Sequence, residues 1–548
     1  MQDNHSQAAR PSLGLLAVSL VAILALSLFV LFWRLGEKPL ENWDEGIHAE
    51  VTREMYHQDA WFSLSYRDEL YTAKPPLKFW MTALLFPLFG ESEFTLRFWS
   101  AIAGVATALL ITFWMWEISS SMRLAFLAGA IFTLGRFVLY HAFRTGETDG
   151  LLILLFTAAL YAYWRSRESP GWFLGFGACI GLAVMTKSFA GLLPVIIVAI
   201  DLSLSRRWSR LGIRTVALSA GIAAAIALPW HILELVRHGA TFWNSYFEFH
   251  ILERSSEVLY ENRVSWLWYA VVLFKRTYPF GVFIPLALLL SLRRILKSRD
   301  EFDRLLLVWI TVVFIVFSFV KTKFDWYILP LYAPLVLVLA RGFSEFLHQK
   351  SDRLLTAFAA LSFFVGIYLL PQGLAHEGLL WRATPFAYVP EWFVLTVAGK
   401  LIVAAVVTGI VIGVTFLLRT QTIIEPTRAV GMAVIVYLVI IAFGWQYSYL
   451  KHLPTASPLK DIAERVSEVR AEKLDVVGIR LVTQPAGYYY LRRMPDLSIR
   501  ELSNADEAQG PLILVASDSP QYDSVRNRGN AILERDRFVL FEVATMKQ

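Results

Sequence analysis

The chain reads as a polytopic all-α membrane protein with a small α/β domain at its C-terminal end. Three observations predict this. Hydrophobic residues fill 56% of the 548 positions and mean hydropathy is +0.51, more apolar than a soluble globular domain. Apolar runs of bilayer length recur as far as about residue 446. Beyond residue 449 those runs stop, and short β-branched stretches alternate with polar ones, as in a soluble sheet domain.

The runs fall at 13–33, 98–117, 123–140, 150–164, 172–187, 189–204, 213–235, 279–292, 304–320, 326–340, 354–370, 395–418 and 428–446. About thirteen transmembrane helices are expected, in a membrane unit over 1–448 followed by a soluble unit over 449–548. The first run ends in Phe32-Trp33-Arg34 rather than small residues, which predicts a retained span and not a cleaved signal. Several runs fall short of the ~20 residues that a perpendicular span needs. In the soluble unit, 461–471 has helical amphipathicity, and 474–479, 512–516 and 538–543 have strand character.

Basic residues set the expected orientation. With the N-terminus in the cytoplasm, Arg165, Arg167, Arg206, Arg207, Arg210, Arg293, Arg294, Lys297, Arg299, Lys350 and Arg353 all fall on the cytoplasmic side. This requires Leu77–Gly90, which is short and contains Pro87, to be an interfacial helix along the outer leaflet that does not cross. The outer loops are then 36–97, 141–149, 236–278, 321–325 and 371–394, and the C-terminal domain lies on the same outer side. Loop arginines account for the net charge of +6, so no nucleic-acid partner is implied. Cys179 is the single cysteine, which excludes an intrachain disulfide and a cysteine metal cluster.

The outer loops gather the residues that could do chemistry. Asp44 and Glu45 are adjacent in the first polar loop. One acid can face a cavity while the other fixes the loop, and a partly dry carboxylate can deprotonate a hydroxyl or hold a metal. An exposed acid is the plainer reading of either alone. Lys74 precedes Pro75-Pro76, which bias it toward extended geometry and so hold a cation ready for a phosphate. Lys78 reads as a lysine snorkelling to lipid. Arg144 and Asp149 flank the start of an apolar run; Asp149 either favours the helix N-terminus or acts as a second carboxylate. His250 and Arg254 share a helix face at i, i+4, with metal and phosphate as their candidate ligands. Lys321 and Lys323 stand at an outer helix start, against the positive-inside trend, and Tyr327 follows them.

Taken in order, Trp43-Asp44-Glu45-Gly46, Lys74-Pro-Pro, Glu93-Phe-Thr-Leu-Arg97, Arg144 with Asp149, and Lys321-Thr-Lys323 with Trp326-Tyr327-Ile-Leu-Pro-Leu-Tyr332 resemble the C-type integral-membrane glycosyltransferases. Within them the pattern is most similar to the protein O-mannosyltransferase-like group and to the bacterial aminoarabinose transferases that modify lipid A. The resemblance implies a polyprenyl-phosphate sugar donor, a lipid or glycan acceptor, no nucleotide cofactor, and a place in the bacterial inner membrane among its lipids. It implies Asp44 as base or acceptor-orienting group, Lys74 as phosphate contact and Asp149 as second acid; a divalent metal ion is an open cofactor. Ile47 stands where those transferases usually have arginine, and Ala73 where they often have an acid. The expected function is sugar transfer at the outer membrane face, with Glu45, Arg144, Arg254, Lys321, Lys323 and Tyr327 as further substrate contacts and His250 as a metal candidate. The alternatives are an enzyme acting on protein Ser/Thr and a lipid-linked sugar flippase; the one-sided clustering of polar residues disfavours the flippase.

Overall fold

Helix α1 (Leu13–Phe32) is apolar around its whole circumference and lies against α5 (Glu93–Ser119) and α6 (Met122–Leu134). The computed structural model describes residues 13–207, 211–253, 268–348 and 426–543. The predicted runs 354–370 and 395–418, the loop 371–394, and Arg210, Arg254, Lys350 and Arg353 lie outside them. The starts of α5 and α6 are set by serines: the Ser92 and Ser121 hydroxyls accept from Thr95 N (3.3 Å) and Leu124 N (3.4 Å), capping first-turn donors. Gly129 lets α5 and α6 close on α1, since a Cβ there would sit 2.2 Å from Thr112 Oγ1 and 2.9 Å from Ile23 Cγ1. Small residues at such crossings are the usual device for packing apolar helices.

The bundle continues through α7 (Asp149–Arg165), α8 (Trp172–Lys187), α9 (Leu193–Ser205) and α10 (Ile213–Phe242), then helices Ile284–Ser298, Glu301–Phe319, Tyr332–His348 and Pro426–Lys451. Among the described residues, five helical stretches are long and apolar enough to cross a membrane. The fold is thus mostly helical, with several apolar helices and a small C-terminal sheet.

The two ends of the bundle differ. At one end, Arg304 pairs with Asp201 at 2.8 Å, Arg341 with Asp303 and Asp300 at 2.9 Å each, and Arg294 with Glu345 at 2.5 Å. Arg165 pairs with Glu117 and Arg207 with Glu301 at the same end. Of the arginines that the sequence groups on one side, Arg165, Arg167, Arg207 and Arg294 are held by acids at this end, joined there by Arg304 and Arg341. At 1.5 Å per residue, the 17 residues of α7 hold Asp149 about 25 Å from that end.

Two segments expected as loops, apart from the interfacial helix expected at Leu77–Gly90, are largely ordered into helix. Residues 36–97 contain α2 (Asp44–His57), a hairpin of β1 (Ser65–Tyr66) and β2 (Glu69–Leu70), α3 (Leu77–Ala83) and α4 (Phe86–Phe89). Asp44 and Glu45 thus open a helix, where two acids in the first turn suit its positive end. Residues 236–278 continue α10 to Phe242, then form a π-helix Trp243–Glu253 and helix Trp268–Thr277. Buried Trp230, Phe242 and Tyr246 carry one packed face across the expected boundary, and tertiary burial overrides the polar spacing there.

The C-terminal unit has helices Pro458–Glu468 and Pro485–Arg492 and a mixed sheet, in which β3 (Lys473–Val477), β4 (Ser498–Leu502), β5 (Leu512–Ala516), β6 (Asn530–Arg535) and β7 (Phe538–Glu542) run in the order β4-β3-β5-β7-β6. The three buried strands match the apolar stretches in the sequence. The edge strands β4 and β6 are largely exposed and so carry no apolar pattern that would announce them.

Candidate active site

The site is built on the first turns of α2. Trp43, just before it, has φ 117°, a conformation that costs a non-glycine residue on the order of 1–3 kcal/mol and persists only where the surroundings impose it. Here Asn42 is tied to the C-terminal unit, donating to Gln484 Oε1 at 2.8 Å and accepting from Ala486 N at 3.2 Å. On the other side of Trp43, Glu45 Oε2 accepts from Glu41 N at 2.8 Å.

Glu45 is a buried anchor. Its two oxygens take Arg97 Nε and Nη2 at 2.8 and 2.9 Å, and Oε1 also takes Gly146 N at 2.7 Å. Arg97 gives its remaining donors to the carbonyls of Leu35, Lys38 and Pro39. Although burial opposes it, the Arg97 charge and these hydrogen bonds hold the Glu45 carboxyl below the usual range.

Asp44, half-buried, turns to another group. One helical turn on, His48 is buried with its Nδ1 3.3 Å from Glu147 Oε2, and neither ring nitrogen has a hydrogen-bond partner. Ligand atoms of Asp44, His48 and Glu147 all lie within 4.8 Å of one another. Burial pushes the imidazole down to about 3; Asp44 opposes this, and Lys74 and Lys78 reinforce it. The Glu147 carboxyl is raised well above its ordinary value, by burial first and then by Asp44, Asp149 and Glu45, with Lys74 acting the other way. Lys74, itself buried, is therefore close enough to both groups to act on their charge.

Glu147 bridges to a second cluster with His141 and Asp149. Lys187, at the end of α8, donates to both Asp149 oxygens at 2.6 and 2.8 Å. The His141 ring stacks on Trp326 at 4.0 Å, and Lys187 Nζ lies 5.9 Å from the Tyr327 ring centre. Asp149 occupies the first turn of its helix and this cluster at once, so the two readings of it coincide.

Of the sequence-predicted residues, Asp44, Lys74, Asp149 and Tyr327 are gathered here by these links. Glu45 points to Arg97. Arg144 donates to the carbonyls of Val30, Leu31 and Trp33 at 2.9–3.0 Å and ties the loop to the end of α1. Lys323 is buried and Lys321 exposed, just after helix Glu301–Phe319. His250 falls in the π-helix Trp243–Glu253. Lys78 departs from expectation. It does not snorkel: it is buried, donates to Leu96 O at 2.9 Å and Thr82 Oγ1 at 3.2 Å, and is pushed down by burial to about 8. Sequence reasoning did not single out His48, His141, Glu147 or Lys187 as site residues. The i, i+4 spacing of Asp44 and His48 was a usable signal, as was a lysine at the end of an apolar run.

The family model described as dolichyl-phosphate-mannose-protein mannosyltransferase matches residues 73–232. An undecaprenyl phosphate-alpha-4-amino-4-deoxy-L-arabinose arabinosyl transferase of Edwardsiella ictaluri is 29% identical over 349 residues, 62% of each chain. One of Sodalis glossinidius is 30% identical over 376 residues, 66% of each. The matched part thus spans about two thirds or less of these relatives. In fold, ArnT from Cupriavidus metallidurans bound to undecaprenyl phosphate superposes with a TM-score of 0.72 at 21% identity, covering 96% of this chain and 98% of that one. The Archaeoglobus fulgidus oligosaccharyltransferase gives 0.52 at 15% identity, over 90% and 65%. The chain is thus similar in sequence to these arabinosyl transferases over about two thirds of its length, and in fold to ArnT over nearly all of it.

Proposed function

We propose that the protein transfers a sugar from an undecaprenyl phosphate donor to a lipid or glycan acceptor, with lipid A as the first acceptor to test. The donor follows from the names of the relatives and from the lipid in the ArnT complex. The observation that carries the reading is the convergence of Asp44, His48, Glu147 and Lys74 in one buried polar cluster at a single end of an apolar bundle.

In the reaction, an acceptor hydroxyl oxygen forms a bond to the sugar anomeric carbon while the bond from that carbon to the donor phosphate oxygen breaks, with inversion. Asp44 aligns the hydroxyl and takes its proton. Lys74, helped by Lys321 or Lys323, stabilises the negative charge that builds on the leaving phosphate, an interaction strongest in the transition state. Tyr327 and Lys187 line the same cluster, and Lys187 holds Asp149 in place by donating to both of its oxygens. Arg254 and Arg144 are assigned to substrate binding and loop support respectively. The donor set of Asp44, His48 and Glu147 fits a divalent cation: an imidazole and two carboxylates converge, and the buried ring nitrogens have no other partner. Such an ion, held by these residues, would supply Lewis acidity.

Thirteen spans, a membrane unit over 1–448, a soluble unit over 449–548 and a periplasmic site complete the proposal, supported by the collection of arginines at the opposite end. Asp44→Asn or Lys74→Ala is expected to lower transfer at least a hundredfold, read by mass spectrometry of lipid A and envelope glycans, with unchanged folding. Full activity in either variant overturns the assignment.

A further inference from the structure

We propose that the cavity between the end of α2 and helix Pro485–Arg492 binds the phosphate of an anionic lipid headgroup. The cavity encloses about 470 Å³ and is lined by Arg53, His57 and Glu91 from the first segment and by Arg492 and Arg493 from the C-terminal unit. Its charges do not balance. Arg53 is taken by Glu50 at 2.7 and 2.9 Å, and His57 faces Glu91 at 2.5 Å. Arg492 and Arg493 remain, and neither guanidinium makes a hydrogen bond or ion pair among the described residues. Arg492 Nε is buried with no acceptor, and Glu50, the acid whose charge it feels, is already occupied by Arg53. Two guanidinium forks lining a cavity match the several acceptor oxygens of a phosphate.

The rim identifies the source of the phosphate. Glu91 directly follows the α3–α4 stretch, where Leu84, Leu88 and Phe89 are 65%, 73% and 51% exposed. An exposed apolar ridge beside a cationic cavity has the layout of a lipid, with acyl chains on the ridge and headgroup in the cavity. A water-soluble anion would gain nothing from the ridge. Asp44 and His57 stand at the two ends of the 14-residue α2, about 20 Å apart at helical rise. The cavity is therefore a second site, remote from the proposed reacting atoms, and it does not depend on the transfer reading.

The test uses the full-length Lys74→Ala protein in neutral detergent, so that the phosphate contact proposed for the donor is absent from every measurement. Dihexanoyl phosphatidic acid, dihexanoylglycerol and inorganic phosphate are titrated by calorimetry. Phosphatidic acid is expected to bind at least tenfold more tightly than inorganic phosphate, and dihexanoylglycerol not to bind. Adding Arg492→Gln with Arg493→Gln should weaken phosphatidic acid at least tenfold with the melting temperature kept. Arg493→Gln alone, at an exposed position, should give a partial loss, and Arg526→Gln, exposed elsewhere in the unit, none. Equal affinity with and without the two arginines overturns the site. Inorganic phosphate binding as tightly as phosphatidic acid overturns the lipid and leaves a soluble anion. Neither result involves turnover, so failure here is distinct from failure of the transferase assignment.

Discussion

Asp44 and Glu45 are neighbours in the chain with opposite fates, because a helix turns about 100° per residue. Glu45 faces Arg97 inside the protein and Asp44 faces the cluster with His48. The Glu45–Arg97 pair is buried and fully hydrogen-bonded, so removing one partner strands the other's charge. Arg97→Ala is expected to cost on the order of 3–5 kcal/mol, read by denaturant unfolding in detergent; a loss under 1 kcal/mol would contradict that role. Lys78 makes a pH prediction. Its folded-state value of about 8 lies below the ordinary 10.5, so the buried ammonium opposes folding wherever it is charged in both states. That penalty is fully present below about pH 8 and is relieved as pH rises to 10.5, by roughly 3 kcal/mol from the size of the shift. Relative to Lys78→Met, wild type should gain about that much stability across the window. A parallel pH dependence in the two proteins would refute it.

At the scale of elements, the contact that matters most is between α2 and helix Pro485–Arg492. Gly46 sits at the crossing, where a Cβ would approach Ala486 N to 2.4 Å and the Pro485 carbonyl carbon to 2.8 Å. These are backbone atoms and cannot step aside. Gly46→Val should cost about 1–3 kcal/mol through overpacking, raise protease cleavage between Leu453 and Ser457, and lower activity by displacing the turn that holds Asp44. Unchanged proteolysis would mean that the C-terminal unit does not brace the site. The sequence showed a glycine after two acids, and a proline-led helix some 440 residues later. Nothing in either pattern announces that they touch, because their packing depends on a pairing across the chain.

For the whole molecule, the separation of ends is the testable property. One end carries the arginine–acid network around Asp201 and Asp303, and the other carries the site. Cys179 is the single cysteine, so Cys179→Ser provides a clean background. In spheroplasts, Glu69→Cys should react with a membrane-impermeant maleimide, and Ser298→Cys only after permeabilisation. Labelling of both from one side would rule out the proposed orientation.

Helices, their approximate edges and the polar cluster near Asp44 and Lys74 were legible in the chain, because hydrophobic periodicity and proline are local properties that each segment carries on its own. The central strands β3, β5 and β7 were legible for the same reason, and the exposed β4 and β6 were not. What only the tertiary structure decided is which polar residues meet. Glu45 went to Arg97, Arg144 to three carbonyls, and His48, His141, Glu147 and Lys187 joined the cluster from segments up to 139 residues apart. Hydrogen-bond satisfaction and the cost of buried charge select among such partners only once the helices are packed, and no stretch of sequence contains that choice.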